Sequence, residues 1–168
     1  MNIHDIESDT KFQQLFKEFI SNKNKFHDLL NYIENSSYFK KVNDEYREKI
    51  PDTVYRGVYF WNDDYDEEEW ITIKKEISSR EKEKTNTKGI SYSSCSYSKT
   101  VAENFSKVLG DVGYLITFKI NTSDVIFVPL AFIAFLDDPD VISTIKYEKE
   151  VIINPNTSRI LSVKRVKR

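Results

Sequence analysis

The hydrophobic period of this chain changes once, at Pro51, and that change limits the folds open to it. Before Pro51, apolar residues recur at helical spacing: Phe12, Leu15, Phe16, Phe19 and Ile20, then Phe26, Leu29, Leu30 and Ile33. Residues three and four apart share one helix face, so residues 8–50 are predicted helical, with a break at Asn35, Ser36 and Ser37. After Pro51 the strand-forming types take over. TVYRGVYF (53–60) reads as a strand, as do ISYSS (90–94), YLITFKI (114–120), DVIFVPL (124–130), EKEVIIN (148–154) and SRILSVKRV (158–166). An acidic run, Asp63 to Glu69, leads into a predicted helix near 66–82 with Trp70, Ile73 and Ile77 on one side. A second helix is predicted over 98–108, with Ser98 as its N-cap. Gly110 and Gly113 bracket a turn, and Asp137, Asp138 and Pro139 mark a loop. Helices come first, strands mostly later, and no βαβ rhythm appears. The reading is α+β with a mainly antiparallel sheet.

A chain of 168 residues fits one domain and buries a sizeable core without staples. Cys95 is its one cysteine, so no disulfide forms within the chain, which fits a reducing compartment. No apolar run approaches the ~20 residues of a membrane span. The N-terminus, MNIHDIESDTKF, lacks the basic and apolar regions of a secretion signal. The expected location is the cytoplasm, with no membrane partner. A net charge of −2 argues against the whole chain wrapping nucleic acid.

Three polar spots interrupt the predicted strands. In TVYRGVYF, Arg56 shares a face with Val54 and Val58. An arginine there needs an anion or a path to solvent, and its planar fork suits carboxylate or phosphate oxygens. Gly57 beside it permits a close approach to the backbone. The bland alternative is a structural ion pair on an edge strand. The second spot is Ser91 to Ser96, dense in hydroxyls. No Gly-x-Ser-x-Gly elbow surrounds these serines, and the two histidines, His4 and His27, lie in the helical region. Cys95 has no nearby base and reads as a packing residue. The third spot is Glu148-Lys149-Glu150, ahead of Val151, Ile152 and Ile153. On one strand both acids would share a face with Cα atoms about 7 Å apart, and such like charges push one carboxyl upward. The bland alternative is an exposed strand entrance. Two carboxylates without His or Cys make no recognisable metal site, and no Walker or Gly-x-Gly-x-x-Gly loop is present.

Strand-borne Arg, then aromatic-x-Ser-x-Ser, then Glu-x-Glu is an order that resembles the mono-ADP-ribosyltransferases of the Arg-Ser-Glu class. YSSCSYSKTVAENF is similar to that family's aromatic-x-Ser-Thr-Ser and following helix, with Tyr92, Ser94 and Ser96 in the motif and Ala102 and Phe105 on the helix. Cys95 stands where Thr is usual. Ser93 or Ser91 could instead start the triad, although the spacing to the helix favours Ser94. YEKEVIINP matches the Glu-x-Glu, the aliphatic run and the nearby proline. The resemblance spans about residues 53–163, and size and spacing are most similar to the arginine-modifying enzymes of T4-type bacteriophages.

The resemblance implies one domain over 1–168, with a helical N-terminal region (1–50) and an NAD-binding catalytic core (51–168) of two mainly antiparallel sheets. It implies NAD as substrate, no metal, and transfer of ADP-ribose to arginines of target proteins such as host transcription or translation components. Arg56 would clamp the pyrophosphate and brace the site, Gly57 would meet the nicotinamide amide, and Tyr92 would wall the nicotinamide. Ser94, with Ser96 nearby, would orient ribose and carboxylate. Glu150 would bond the ribose 2′-hydroxyl and stabilise the cation, and Glu148 would hold and deprotonate the acceptor arginine. The segment from Asp137 to Tyr147 would be a target-contacting loop. Two other readings stand beside this one: an NAD glycohydrolase with water as acceptor, and a binding module that uses the basic C-terminal SVKRVKR on nucleic acid or an acidic partner.

Overall fold

The computed structural model describes residues 9–60, 92–108 and 112–166, together with Lys75. Apart from Lys75, the helix predicted over 66–82 lies outside these residues, as does Gly110. The N-terminal region forms three helices: α1 (Thr10–Ser21), α2 (Phe26–Glu34) and α3 (Ser37–Arg47). Asp9 and Ser36 cap α1 and α3 by accepting the Phe12 and Phe39 N–H groups, at 2.9 and 3.3 Å. The break at 35–37 falls where the side-chain pattern places it. A second break, at Asn22, starts a 3-10 turn over Lys23–Lys25, and the Asn22 side chain accepts the Asn24 N–H.

The remaining elements are β1 (Thr53–Phe60), β2 (Ser93–Ser96), α4 (Lys99–Ser106), β3 (Val112–Lys119), β4 (Val125–Phe127), α5 (Pro139–Glu148), β5 (Glu150–Ile153) and β6 (Arg159–Val166), with 3-10 segments at Thr122–Asp124 and Pro129–Phe135. The class is α+β with an antiparallel sheet. Among the described residues six strands run in the order β4-β5-β2-β1-β3-β6, so the two sheets expected form one there. The halves are barely joined, however. β1 pairs with β3 along its whole length but with β2 only at Tyr55–Ser96.

Two apolar clusters lie on opposite faces of β5. Ile152 faces the helices, in a cluster where Phe12, Phe16, Phe19, Phe26 and Phe39 meet Phe127 and Phe132. The rings interlock face to face and edge to face: Phe12 on Phe39 at 4.4 Å, Phe16 on Phe19 at 6.2 Å. Val151 and Ile153 face the other way, toward Val54, Cys95, Ile116, Phe118 and Val163. A strand buried on both faces reads as an unbroken apolar run, which is what Val151 to Ile153 is.

Asn43 ties α3 to β4. Its amide donates to the Ile126 carbonyl at 2.9 Å, its oxygen accepts the Val128 N–H at 3.0 Å, and the residue is buried. Replacing it with leucine strands both backbone groups. Asn43→Leu is expected to lose about 2 kcal/mol, measured by urea unfolding, and an unchanged midpoint would mean the clamp carries no stability.

Two local expectations are corrected. Gly113 is not in a turn but inside β3, on the same sheet face as Gly57. Both glycines lie under α4: a Cβ on Gly57 would sit 2.0 Å from the Ala102 carbonyl oxygen, and one on Gly113 2.3 Å from that of Ser106. Asp137 to Tyr147 is not a loop but mostly α5. Asp138 caps it, accepting the Asp140 N–H at 2.9 Å, Pro139 occupies its first turn, and Val141 and Ile145 are buried. As expected of SRILSVKRV, Lys164 and Arg165 of the basic C-terminus belong to a strand, β6, at the edge of the sheet among the described residues, where exposed charges deter further strand pairing. Among the described residues no helix is long and apolar enough to cross a membrane.

Candidate active site

The residues of the three motifs meet where the sheet halves part. Side chains alternate along β2, so Cys95 enters the core cluster beside Val151 while Ser94 turns to the opposite face. That is the face of Tyr92, which belongs to the helix-side cluster and packs on Phe26 with ring centroids 5.0 Å apart. On β5, Glu150 shares the helix-side face with Ile152. Ser96 lies opposite Glu150 in the ladder, and Ser94 lies opposite Ile152. The Ser94 hydroxyl donates to Glu150 Oε2. Ser94, rather than Ser93, is therefore the serine that reaches the acid. Ser93 lies in the opposite alternation and is buried.

Arg56 enters from β1. Continuing the register two residues past Tyr55–Ser96 would set Gly57 opposite Ser94, but the pairing has ended. In place of that rung, Arg56 Nη1 donates to the Ser94 carbonyl at 2.7 Å. A chain of contacts results: Arg56 guanidinium to Ser94 carbonyl, Ser94 hydroxyl to Glu150 carboxylate. It connects β1, β2 and β5, whose residues are distant in sequence.

The two acids do not share a strand. Glu148 is the last residue of α5 and Glu150 the first of β5, with Lys149 between them in the left-handed conformation (φ 47°, ψ 44°). Lys149 is the one non-glycine residue with positive φ among those described, a conformation that costs an L-residue about 1–2 kcal/mol. The turn is held from β2 and its exit. The Tyr97 N–H donates to the Lys149 carbonyl at 3.1 Å, and the Ser96 hydroxyl donates to the Glu148 carbonyl at 2.8 Å while accepting the Ser98 N–H at 3.0 Å. Ser96 thus spends its hydroxyl on the backbone that aims the two acids.

Sequence reasoning missed Lys23. Its ammonium lies 2.9 Å from Glu150 Oε1 and 3.3 Å from Glu148 Oε2, and 4.4 Å from the centre of the Phe19 ring. No motif marks it. It stands in NKNK, between two helices, and only the tertiary fold brings it to acids 125 and 127 positions away. Burial pushes the Glu148 carboxyl above the usual glutamate range, with the Glu150 charge adding to this and Lys23 opposing it. Gly57 is closely approached by α4, the kind of backbone contact that its missing side chain permits.

Compared with known proteins, the chain matches no family model, no curated protein and no solved structure. Among the described residues, no group of three or more His, Cys, Asp or Glu side chains is placed to hold a metal ion.

What remains is a chemical inventory. One carboxylate is almost fully buried and hydrogen-bonded by a hydroxyl. A second is half-exposed and harder to ionise. An arginine stands at the gap between the sheet halves. Such a set suits stabilising a buried cation beside a bound anion, with a base at the solvent side.

Proposed function

We propose that this chain is an NAD-dependent mono-ADP-ribosyltransferase that modifies arginine side chains of target proteins. The observation that carries the reading is the Ser94–Glu150 contact with Arg56 anchored on the same serine. Arg, Ser and Glu drawn from three separate motifs converge, which supports the reading. NAD fits the donor set. The Glu150 oxygens offer about four acceptor positions, of which Ser94 and Lys23 use two, leaving capacity for a ribose hydroxyl. Arg56 supplies the cation that a pyrophosphate needs.

In the proposed reaction the C1′–N bond of NAD breaks and its electron pair leaves with nicotinamide. The buried Glu150 charge stabilises the ribose cation, and Ser94 fixes the carboxylate that does so. A guanidinium nitrogen of the acceptor bonds to C1′ and its proton passes to Glu148. Arginine ionises above ~12, so a poised base at that position is what the chemistry lacks without Glu148.

The glycohydrolase reading, with water as acceptor, draws on one observation: Lys23 already holds Glu148. The substitution Glu148→Gln separates the two. It is expected to abolish transfer to arginine while NAD hydrolysis persists. Because the Glu148 carboxyl ionises above the ordinary range and acts when deprotonated, wild-type transfer should rise with pH through an acid limb displaced upward. A wild-type transfer rate that is flat across that range would count against Glu148 as the base. Normal transfer by the variant, followed by mass spectrometry of the modified residues, would sink the role given to Glu148.

A further inference from the structure

We propose that Lys23 is a resident occupant of the acceptor subsite: its ammonium stands between Glu148 and Glu150 where the acceptor guanidinium binds, and the acceptor must displace it. The proposal rests on the transferase reading for the identity of that subsite. Three features of the geometry carry it.

First, one ammonium meets two carboxylates that come from different elements, the end of α5 and the start of β5. A cation between these acids is what keeps two close negative charges tolerable, one of them almost wholly buried. Second, Lys23 can leave. It sits on the three-residue 3-10 turn between α1 and α2, so its side chain can swing without either helix moving. The side chain is 37% exposed, so solvent is adjacent. Third, the subsite opens on one side. Glu148 is 34% exposed and Glu150 only 5%, so an incoming cation meets Glu148 first.

Specificity follows from the charge. A guanidinium can replace the ammonium with the charge balance kept, and its planar fork adds paired hydrogen bonds that a point charge lacks. A neutral acceptor cannot displace Lys23 without leaving both acids uncompensated. Lys23 would therefore filter for cationic acceptors.

The test needs no NAD. Agmatine, a small guanidinium compound, is titrated into the whole chain by calorimetry. Lys23→Met keeps the apolar stem beside Phe19 and removes the competitor, so agmatine should bind about tenfold more tightly, as expected when a self-occluded state is removed. Lys23→Arg, which retains a cation, should bind no more tightly than the wild type. A second measurement uses the wild type alone. Millimolar methylguanidine, a guanidinium without the primary amine that would consume the reagent, should speed modification of Lys23 by an amine-reactive reagent, read by mass spectrometry, and leave that of Lys40 unchanged. Unchanged or weaker binding by Lys23→Met overturns the proposal, and so does Lys23 labelling that ignores methylguanidine. If agmatine behaves as described while NAD stays intact with every acceptor tried, the displaceable subsite stands and the transferase reading falls.

Discussion

Glu150→Gln is expected to lower NAD cleavage and arginine transfer together, by at least about 100-fold. The substitution keeps volume and shape and removes only charge. Glu150 is 4% exposed, and both its oxygens are engaged, one by Ser94 and one by Lys23. A glutamine fills the same space, and Lys23, being part-exposed, can turn its ammonium to solvent, so the fold is expected to survive. The reaction is not spared, because a ribose cation forming beside a neutral amide loses the fixed negative charge that stabilises it. The loss should fall on hydrolysis as well as transfer, because both pass through that cation. This separates Glu150 from Glu148, whose loss is expected to spare hydrolysis. A Glu150→Gln protein that melts like the wild type and turns over NAD at the wild-type rate would remove Glu150 from the chemistry.

Gly57→Ala is expected to destabilise the fold by more than about 3 kcal/mol, which for a chain of this size lowers the melting midpoint by about 6–12 °C. The atom it adds would sit 2.0 Å from the Ala102 carbonyl oxygen and 2.9 Å from the Ser106 backbone nitrogen. Both are helix backbone, so no side chain can turn aside and α4 as a whole must lift from β1. Ala102 and Ser106, both buried and one helical turn apart, are the small residues that let α4 lie so close. A melting midpoint within about 1 °C of the wild type, a shift worth under about 0.5 kcal/mol, would show that α4 is not seated as described. Loss of activity at unchanged stability would point instead to the nicotinamide contact that the resemblance implies for the Gly57 backbone.

Much of the fold was legible because local and tertiary demands agree. TVYRGVYF is β1 to the residue, and Ser98 caps α4 by accepting the Val101 N–H at 3.3 Å. The phenylalanine spacing of α1 and α2 marks the faces that pack on Phe127 and Phe132. Strand ends were less legible. DVIFVPL yields only three strand residues before Pro129 opens a 3-10 segment, since proline cannot donate to a ladder. The helix α5 was missed although Asp138-Pro139 is a cap followed by a first-turn proline. Only Val141 and Ile145 of its face are buried, so its apolar period is faint.

The candidate site divides the same way. Ser94, Glu150 and Arg56 could be singled out only through the order of the three motifs and the resemblance it carries, since each spot alone reads as an ordinary structural feature. The relation of Glu148 to Glu150 could not. Nothing in the residue type of Lys149 demands a left-handed turn, and that turn moves Glu148 from strand to helix end. Lys23 was invisible for a different reason. One lysine among the 25 lysines and arginines carries no local mark, and its partners become visible only when α1 and β5 are packed together.

The central claim is that this chain breaks the nicotinamide–ribose bond of NAD at Glu150. Nicotinamide release from NAD by the purified protein, with agmatine as acceptor, followed by chromatography for wild type and Glu150→Gln, tests it most directly. The account predicts release and ADP-ribosylated agmatine with the wild type and neither with the variant. Intact NAD with the wild type, or equal release by both proteins, would contradict it.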